Sequence, residues 1–292
     1  MASSKDRQRK LARAKLDRQQ ARRASKLQRR RRIQAGVGAA LGLLLIVGGV
    51  AWLGGAFDSD DDADTPDAAN SDVCVWMPQS TAGNTSLKDV GMPPTKGIPT
   101  SGTQTMTITT NQGKPIVVTM DVTTTPCSAA SFSYLAGKKF FDNTECHELT
   151  TEGAVHCGDP TGTGQGGPTY GFYDENLPTA PPTPAPSPSA KTPPKIAPVY
   201  PKGTVAMIGN PPGTNGSQFL IFFKDFSPAT PQYSIVGRVT DGMDTVAAIG
   251  RIPVVDNGTG AKVKPKEKIV VQSLTVSAAT GATPAPATSS QS

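Results

Sequence analysis

Aromatic side chains are scarce in this chain of 292 residues, making up only 5% of it. Glycine and proline are abundant instead, with 30 and 27 residues, well above their average combined usage of ~12%. So few large side chains cannot supply a core to every segment, and much of the chain is expected to be loop or linker. A glycine-rich stretch at 159–168 lacks the Lys-Ser/Thr pair of a phosphate-binding loop, so a long turn is expected there.

Net positive charge is confined to one end of the chain. Residues 1–32 carry 14 Lys and Arg against two Asp, a net charge of +12, whereas the remaining 260 residues carry a net charge of −6. The pI of 9.1 therefore describes a tail, and a uniformly basic nucleic-acid-binding domain is excluded. We expect no nucleic-acid partner. Contact of the tail with nucleic acid or anionic lipid is the alternative.

Charge is absent from residues 35–57, which are almost uniformly apolar. A helix of this length spans ~35 Å, enough for the ~30 Å hydrocarbon layer of a membrane. Basic residues directly before it predict a single-pass signal anchor over 33–57, with residues 1–32 as a cytoplasmic tail and the remainder extracytoplasmic. A cleaved signal peptide followed by secretion is the alternative. No cysteine closely follows the apolar run, so a lipid anchor is not expected.

Composition divides the chain beyond this span. Residues 58–102 are acidic and then rich in Gly, Pro, Thr and Ser, which predicts a flexible linker that carries Cys74. Residues 103–277 predict a folded domain, interrupted at 178–201, where ten of 24 residues are proline. This insertion is predicted to be a solvated spacer, with recruitment of a polyproline-binding partner as the alternative. Residues 278–292 are predicted to be a disordered tail.

The domain alternates between strand and helix patterns. A hairpin is predicted over 105–120, because alternating apolar residues flank a turn at 111–113. A helix is predicted over 126–137, since proline occupies its first turn and glycine its end. A second helix is predicted over 244–250, and further strands at 205–208, 219–223, 234–239 and 269–276. The sum is a mainly-β fold, a barrel or sandwich with two flanking helices.

Both histidines of the chain adjoin cysteines, His147 after Cys146 and His156 before Cys157. If 146–149 and 154–158 are paired strands, cysteine lies opposite cysteine and histidine opposite histidine. Adjacent residues of a strand point to opposite faces, so four ligands of a zinc site would not converge without a bulge. A Cys146–Cys157 disulfide is therefore favoured over a zinc site or a Cys–His nucleophile pair.

The other two cysteines, Cys74 and Cys127, would then form a second disulfide. Such bonds persist in an extracytoplasmic compartment. This bond would attach the segment before the domain to the first helix.

The order of several motifs resembles the cyclophilin family of peptidyl-prolyl cis–trans isomerases. The strongest match is residues 214–221 (TNGSQFLI), close to the family signature TNGSQFFI. The other matching stretches follow in the family's order: 141–147 (FDNTECH), 157–164 (CGDPTGTG), 170–176 (YGFYDEN), 202–207 (KGTVAM), 236–239 (VGRV) and 241–243 (DGM). The resemblance covers about 103–276 outside the insertion. The resemblance implies an eight-stranded closed β-barrel capped by two α-helices. With its membrane anchor and four cysteines, the chain is similar to the membrane-anchored or secreted bacterial branch of the family.

The resemblance also implies a chemistry. Rotation about an X–Pro bond faces a barrier of ~20 kcal/mol from amide resonance. In the family an arginine donates a hydrogen bond toward the prolyl nitrogen and favours the twisted transition state, while a hydrophobic pocket holds the proline ring. No cofactor or metal is needed. Proline-containing peptides and unfolded extracytoplasmic proteins are the implied partners.

The residues at the family's catalytic positions depart from this pattern. Glu148 stands where the family has arginine, and His156 where it has glutamine, while Gln218 is retained. Gly153 and Ala154 stand where the pocket has phenylalanine and methionine. The resemblance places the substrate groove at nine positions: His147, Met207, Ile208, Gly209, Asn210, Phe219, Leu220, Ala229 and Tyr233. A cyclosporin-type ligand is implied too, weakened by the same changes.

These departures remove the electrostatic donor and much of the pocket wall together. Loss of such a donor alone typically costs ~10²–10³ in rate. The sequence therefore predicts an isomerase-like protein of extracytoplasmic folding with weak activity. The alternative is a catalytically impaired module that binds proline-containing peptides or acts as a chaperone or scaffold.

Overall fold

A computed structural model describes residues 72–180, 197–209 and 211–281. The predicted basic tail (1–32), the apolar span (33–57), most of the proline-rich insertion and Asn210 lie outside the described residues. Within the described ranges, no helix is both long and apolar enough to cross a membrane.

The described residues form a mainly-β structure with two helices. Helix α1 spans Pro126–Gly137 and helix α2 spans Met243–Ile249. The strands are β1 (Met77–Pro78), β2 (Leu87–Lys88), β3 (Thr103–Thr110), β4 (Ile116–Asp121), β5 (Thr144–Cys146), β6 (Glu148–Leu149), β7 (Ala154–Cys157), β8 (Gly167–Pro168), β9 (Tyr170–Tyr173), β10 (Thr204–Met207), β11 (Thr214–Asn215), β12 (Phe219–Phe222), β13 (Ser234–Asp241), β14 (Val254–Asp256), β15 (Lys262–Pro265) and β16 (Ile269–Val276).

Nine of these strands form a nearly closed barrel. Their order is β5-β16-β3-β4-β13-β10-β12-β7-β6, and every neighbouring pair is antiparallel. The two end strands, β5 and β6, are separated in sequence by His147 alone. Counted as one interrupted strand, they give the eight strands that the family resemblance implies. The predicted hairpin, the helix over 126–137 and the strand over 269–276 are confirmed.

The strands of the site carry apolar side chains on both faces. On β12, Phe219 and Ile221 belong to the interior core of the barrel. Their neighbours Leu220 and Phe222 belong to a second apolar group, here called the outer cluster. Alternation of side chains along a strand produces this division. The buried members of the outer cluster are Ala154, Tyr200, Ala206, Leu220 and Phe222, with Ile208, Phe226, Tyr233 and Ile235 packed against them.

Helix α1 closes one end of the interior core. Its Phe132 packs against Phe141 and Phe219, with ring centroids 5.8 and 5.6 Å apart. Proline in the first turn fits a helix start, because the missing amide hydrogen has no partner there in any case. Helix α2 buries Val246 and Ile249, and it begins and ends one residue before the predicted range.

The segment 72–102 packs on the domain, which corrects the linker expectation for this part of the chain. Strand β1 pairs with β9, and β2 pairs in parallel with β8. Trp76 packs edge-on against Tyr170 and Phe172, with ring centroids 5.5 and 5.4 Å apart. These short strands and one tryptophan help to hold a segment whose composition is typical of loops, together with the Cys74–Cys127 disulfide.

Disulfides and backbone hydrogen bonds fix further parts of the chain to the barrel. The two predicted disulfides, Cys74–Cys127 and Cys146–Cys157, are both present. Thr280 exchanges two backbone hydrogen bonds with Thr103, at 2.8 and 3.0 Å. The first residues of the predicted disordered tail are therefore tied to the barrel.

Candidate active site on the outer face of the barrel

The hairpin that carries Glu148 and His156 has a different register from the one that the sequence predicts. Glu148 lies opposite His156, and Leu149 opposite Val155, one residue away from a His147–His156 pairing. The strand is interrupted at His147. On its other side Cys146, the last residue of β5, pairs with Ile269 of β16 and not with β7. Glu148 and His156 consequently point to the same face of the sheet.

Glu148 and His156 form a side-chain pair. His156 Nδ1 lies 3.1 Å from Glu148 Oε2, so the imidazole can donate a hydrogen bond to the carboxylate. This hydrogen bond, above all, lowers the pKa of Glu148 below its usual value, against the opposing effect of burial. Glu148 is therefore an anion at neutral pH, and this position accepts hydrogen bonds where the family's arginine donates one.

His147 lies directly beside this pair. Its ring centroid is 4.3 Å from that of His156. Burial, and then the neighbouring His156, lower the pKa of His147 from 6.5 to about 4. The imidazole is thus neutral at physiological pH. His147 Nδ1 and His156 Nε2 are both buried without a hydrogen-bond partner.

The pocket positions that the resemblance assigns fall in the outer cluster. Leu220 lies directly opposite His156 across β12 and β7, and Ala154 on the same strand as His156 belongs to this cluster as well. Tyr233 and Ile208 pack at its edge, whereas Ala229 is exposed. Leu220 is only 1% exposed, so a proline ring could contact it only if a covering side chain moved.

Phe219 and Met207 do not face this groove. Both belong to the interior core and are at most 1% exposed. On β12 the odd-numbered residues, Phe219 and Ile221, point inward. The outer face is therefore occupied by Leu220. The groove role expected for Phe219 and Met207 is corrected accordingly.

Gln218 holds a loop. Its side-chain Nε2 donates to the carbonyl oxygens of Gly164 and Gly166, at 3.2 and 2.8 Å. Asp159 accepts hydrogen bonds from the backbone of Thr161 and Gly166 in the same loop. Although burial acts to raise the pKa of Asp159, these hydrogen bonds lower it overall. The glycine-rich stretch is therefore an ordered loop beside the site, built on a buried carboxylate.

Two glycines at groove positions are required by the backbone. Gly153 has φ of +87°, and a Cβ there would lie 2.8 Å from Lys224 Cβ, so the family's phenylalanine would be strained at this point. A Cβ on Gly209 would lie 2.3 Å from the carbonyl oxygen of Thr214. Neither position offers a side chain to a substrate.

Sequence reasoning missed the contact between Glu148 and His156. The predicted register placed Glu148 opposite Val155, on the other face from His156. The feature of the sequence that sets the register is Gly153 in the turn. Its left-handed conformation closes a loop in which Thr150 N donates to Ala154 O at 2.8 Å. That loop shifts the pairing by one residue and unites the two polar side chains.

Comparison with known proteins identifies the family. The profile of "Cyclophilin type peptidyl-prolyl cis-trans isomerase/CLD" matches residues 105–276, and the chain belongs to this family. It is 35% identical over 208 residues to the "Probable peptidyl-prolyl cis-trans isomerase B" of Mycobacterium leprae, covering 69% of this chain and 65% of that protein. Its identity to the protein of the same name from Mycobacterium tuberculosis is 37% over 195 residues, covering 65% of this chain and 60% of that protein.

The chain spans less than two thirds of the length of these two relatives. Among solved structures, a cyclophilin type peptidyl-prolyl cis-trans isomerase from Cryptosporidium parvum aligns with a TM-score of 0.45 at 24% identity, over 60% of this chain and 98% of that one. A second structure of that protein, in the presence of the dipeptide Ala-Pro, aligns with a TM-score of 0.44 at 23% identity, over 60% and 99% of the two chains.

Proposed function

We propose that this chain is a weak peptidyl-prolyl cis–trans isomerase that acts on X–Pro bonds of extracytoplasmic proteins during their folding. The observation that carries the proposal is the outer face of β6, β7 and β12, where Glu148, His156 and Leu220 occupy the family's catalytic and pocket positions. Membership of the isomerase family supports the reaction class.

Weak activity follows from the charge of Glu148. The prolyl nitrogen develops a lone pair as the X–Pro bond twists, and an arginine stabilises it by donating a hydrogen bond. A carboxylate that is itself held as an anion by His156 offers no such donor, and its charge opposes that lone pair. Loss of a preorganised donor typically costs ~10²–10³ in rate.

Extracytoplasmic action is supported by two features of the chain. Its four cysteines form two disulfides, which persist in oxidising compartments and are rare in the cytosol. Its sequence places 14 basic residues before an apolar run of membrane-spanning length, the arrangement of a signal anchor with the N-terminus in the cytoplasm.

A peptide-binding module without useful catalysis is the second candidate. It is favoured by the carboxylate of Glu148, which pairs with His156 and offers no donor to the prolyl nitrogen, because loss of this donor affects the twisted transition state and not the binding of a peptide. Such a module would bind proline-containing segments as a chaperone or scaffold.

The test is exchange spectroscopy by NMR on a tetrapeptide with one X–Pro bond, with the full chain added at catalytic concentration. The proposal predicts cis–trans exchange faster than the uncatalysed rate, with amide shifts at Glu148, His156 and Tyr233. The matched control is the same peptide with alanine in place of proline, which should move none of these amides. Shifts without faster exchange would favour the binding module, and the absence of both would overturn the two candidates together.

A further inference from the structure

His147, Glu148 and His156 form a compact cluster of metal-ligating side chains. One ligand atom from each residue, an imidazole nitrogen or a carboxylate oxygen, lies within 4.8 Å of the other two. His156 Nδ1 and Glu148 Oε2 are 3.1 Å apart. Ligand atoms around a tetrahedral ion at ~2.0–2.1 Å are separated by ~3.3 Å, so only a small movement would bring all three onto one ion.

The two imidazoles have unused nitrogen atoms. His147 Nδ1 is buried without a hydrogen-bond partner and is available to a metal ion. His156 Nε2 is also unpartnered, but an ion bound by His156 Nδ1 beside Glu148 would leave it so. His156 as a whole is only 6% exposed. A buried polar atom without a partner is costly, and each such atom in a native protein requires an explanation. Imidazole is the side chain that most commonly ligates metal ions.

We propose that His147, Glu148 and His156 form a binding site for a divalent transition-metal ion, with Zn²⁺ as the ion that best suits two imidazoles and one carboxylate. Three protein ligands leave one tetrahedral position open. His147 and Glu148 line a cavity of about 390 Å³, which gives an ion and a water molecule access from solvent.

This ligand set differs from the Cys₂His₂ site that the sequence analysis disfavoured. All four cysteines are in disulfides, so none is a thiolate ligand. The chain has only two histidines, and both lie in the cluster. The inference is independent of the proposed isomerase activity, because an inactive chain would bind the ion equally well.

The test is calorimetric titration of Zn²⁺ into the full chain, produced without a polyhistidine tag. We expect one ion per chain, with Mg²⁺ giving no comparable heat because this nitrogen-rich set does not suit it. Glu148→Gln and His147→Ala should each weaken Zn²⁺ binding at least ~10–100-fold, the range that even loss of a supporting contact produces. Glu152→Gln, in the turn of the same hairpin, is the matched control and should leave binding unchanged.

A second measurement locates the ion. Because the chain has two histidines, labelling with ¹⁵N-histidine gives two imidazole signals, and both should shift over the same range of Zn²⁺ concentration. Binding that survives both variants, or that leaves the imidazole signals unmoved, would overturn the proposal and point to another acidic segment such as 58–67. A circular dichroism spectrum of each variant shows that it is folded, so weakened binding is not mistaken for unfolding.

Discussion

The two faces of strands β7, β10 and β12 follow different rules. Their inward side chains, such as Phe219, Ile221 and Met207, form a continuous core with α1. Their outward side chains include Leu220, which packs in the outer cluster, and His156, which carries the polar contact with Glu148. Alternate positions of the same strands therefore have different roles: the inward ones pack the core, and the outward ones form the candidate site.

This difference explains how the family's barrel persists here with altered chemistry. Inward positions are constrained by close packing, where even one methylene matters. An outward position that is partly exposed, such as Glu148 with 31% of its side chain accessible, can change its charge at much lower cost to the free energy of folding. Glu148 can therefore stand in place of arginine without loss of the barrel.

The largest effect is expected inside the barrel. Phe219→Ala removes a fully buried ring that contacts Phe132 and Phe141, and should lower the free energy of unfolding by about 3–5 kcal/mol. Urea denaturation followed by fluorescence measures this change. A loss below about 1 kcal/mol would show that the inward face is not the constrained one.

The disulfides should differ in their contributions. In the chain-entropy account, a disulfide stabilises more when it closes a longer loop. Replacing Cys74 and Cys127 by serine, which are 53 residues apart, should lower the free energy of unfolding by about 4 kcal/mol. Replacing Cys146 and Cys157, which are 11 residues apart, should lower it by about 3 kcal/mol. The two double variants are compared by thermal unfolding. Equal or reversed losses would contradict the chain-entropy account of the two bonds.

Acid should destabilise the fold through His147 at the candidate site. In the folded chain His147 has a pKa lowered from 6.5 to about 4. Below pH 6.5 the imidazole therefore takes up a proton more readily in the unfolded chain than in the folded chain, which favours unfolding. The free energy of unfolding should fall by about 1–2 kcal/mol between pH 6.5 and 4, allowing for partial exposure of the group. Urea titrations across this range with a chelator measure it, and His147→Gln should flatten the slope.

The smallest effect on stability is expected at Glu148. Its side chain is 31% exposed and paired with one histidine, and pairs of this kind contribute at most about 1 kcal/mol. Glu148→Gln should therefore unfold within about 1 kcal/mol of the parent chain in urea. A loss near that of Phe219→Ala would show that the pair is a structural element of the barrel.

Sequence patterns predicted the inward face well for a physical reason. Apolar alternation and a proline-started helix are local signals, and they located the hairpin of β3 and β4, helix α1 and strand β16. The disulfide Cys146–Cys157 was predicted as well, although the assumed register was shifted by one residue.

The outer face depended on relations that a sequence does not display. The pairing of Glu148 with His156 requires the turn at Gly153, and a one-residue shift reverses which side chains share a face. The packing of 72–102 depends on long-range contacts, such as that of Trp76 with Tyr170. Composition alone predicted a flexible linker for these residues.

The most direct measurement is the isomerisation rate of the Glu148→Arg variant beside that of the parent chain, on one X–Pro tetrapeptide without a coupled protease. The control is Glu152→Arg, which makes the same charge change in the turn of the same hairpin. We predict that Glu148→Arg raises kcat/KM about 10-fold or more, below the full ~10²–10³ of such a donor because the pocket wall remains altered, while the control changes nothing. High activity in the parent chain that Glu148→Arg fails to raise would contradict this account.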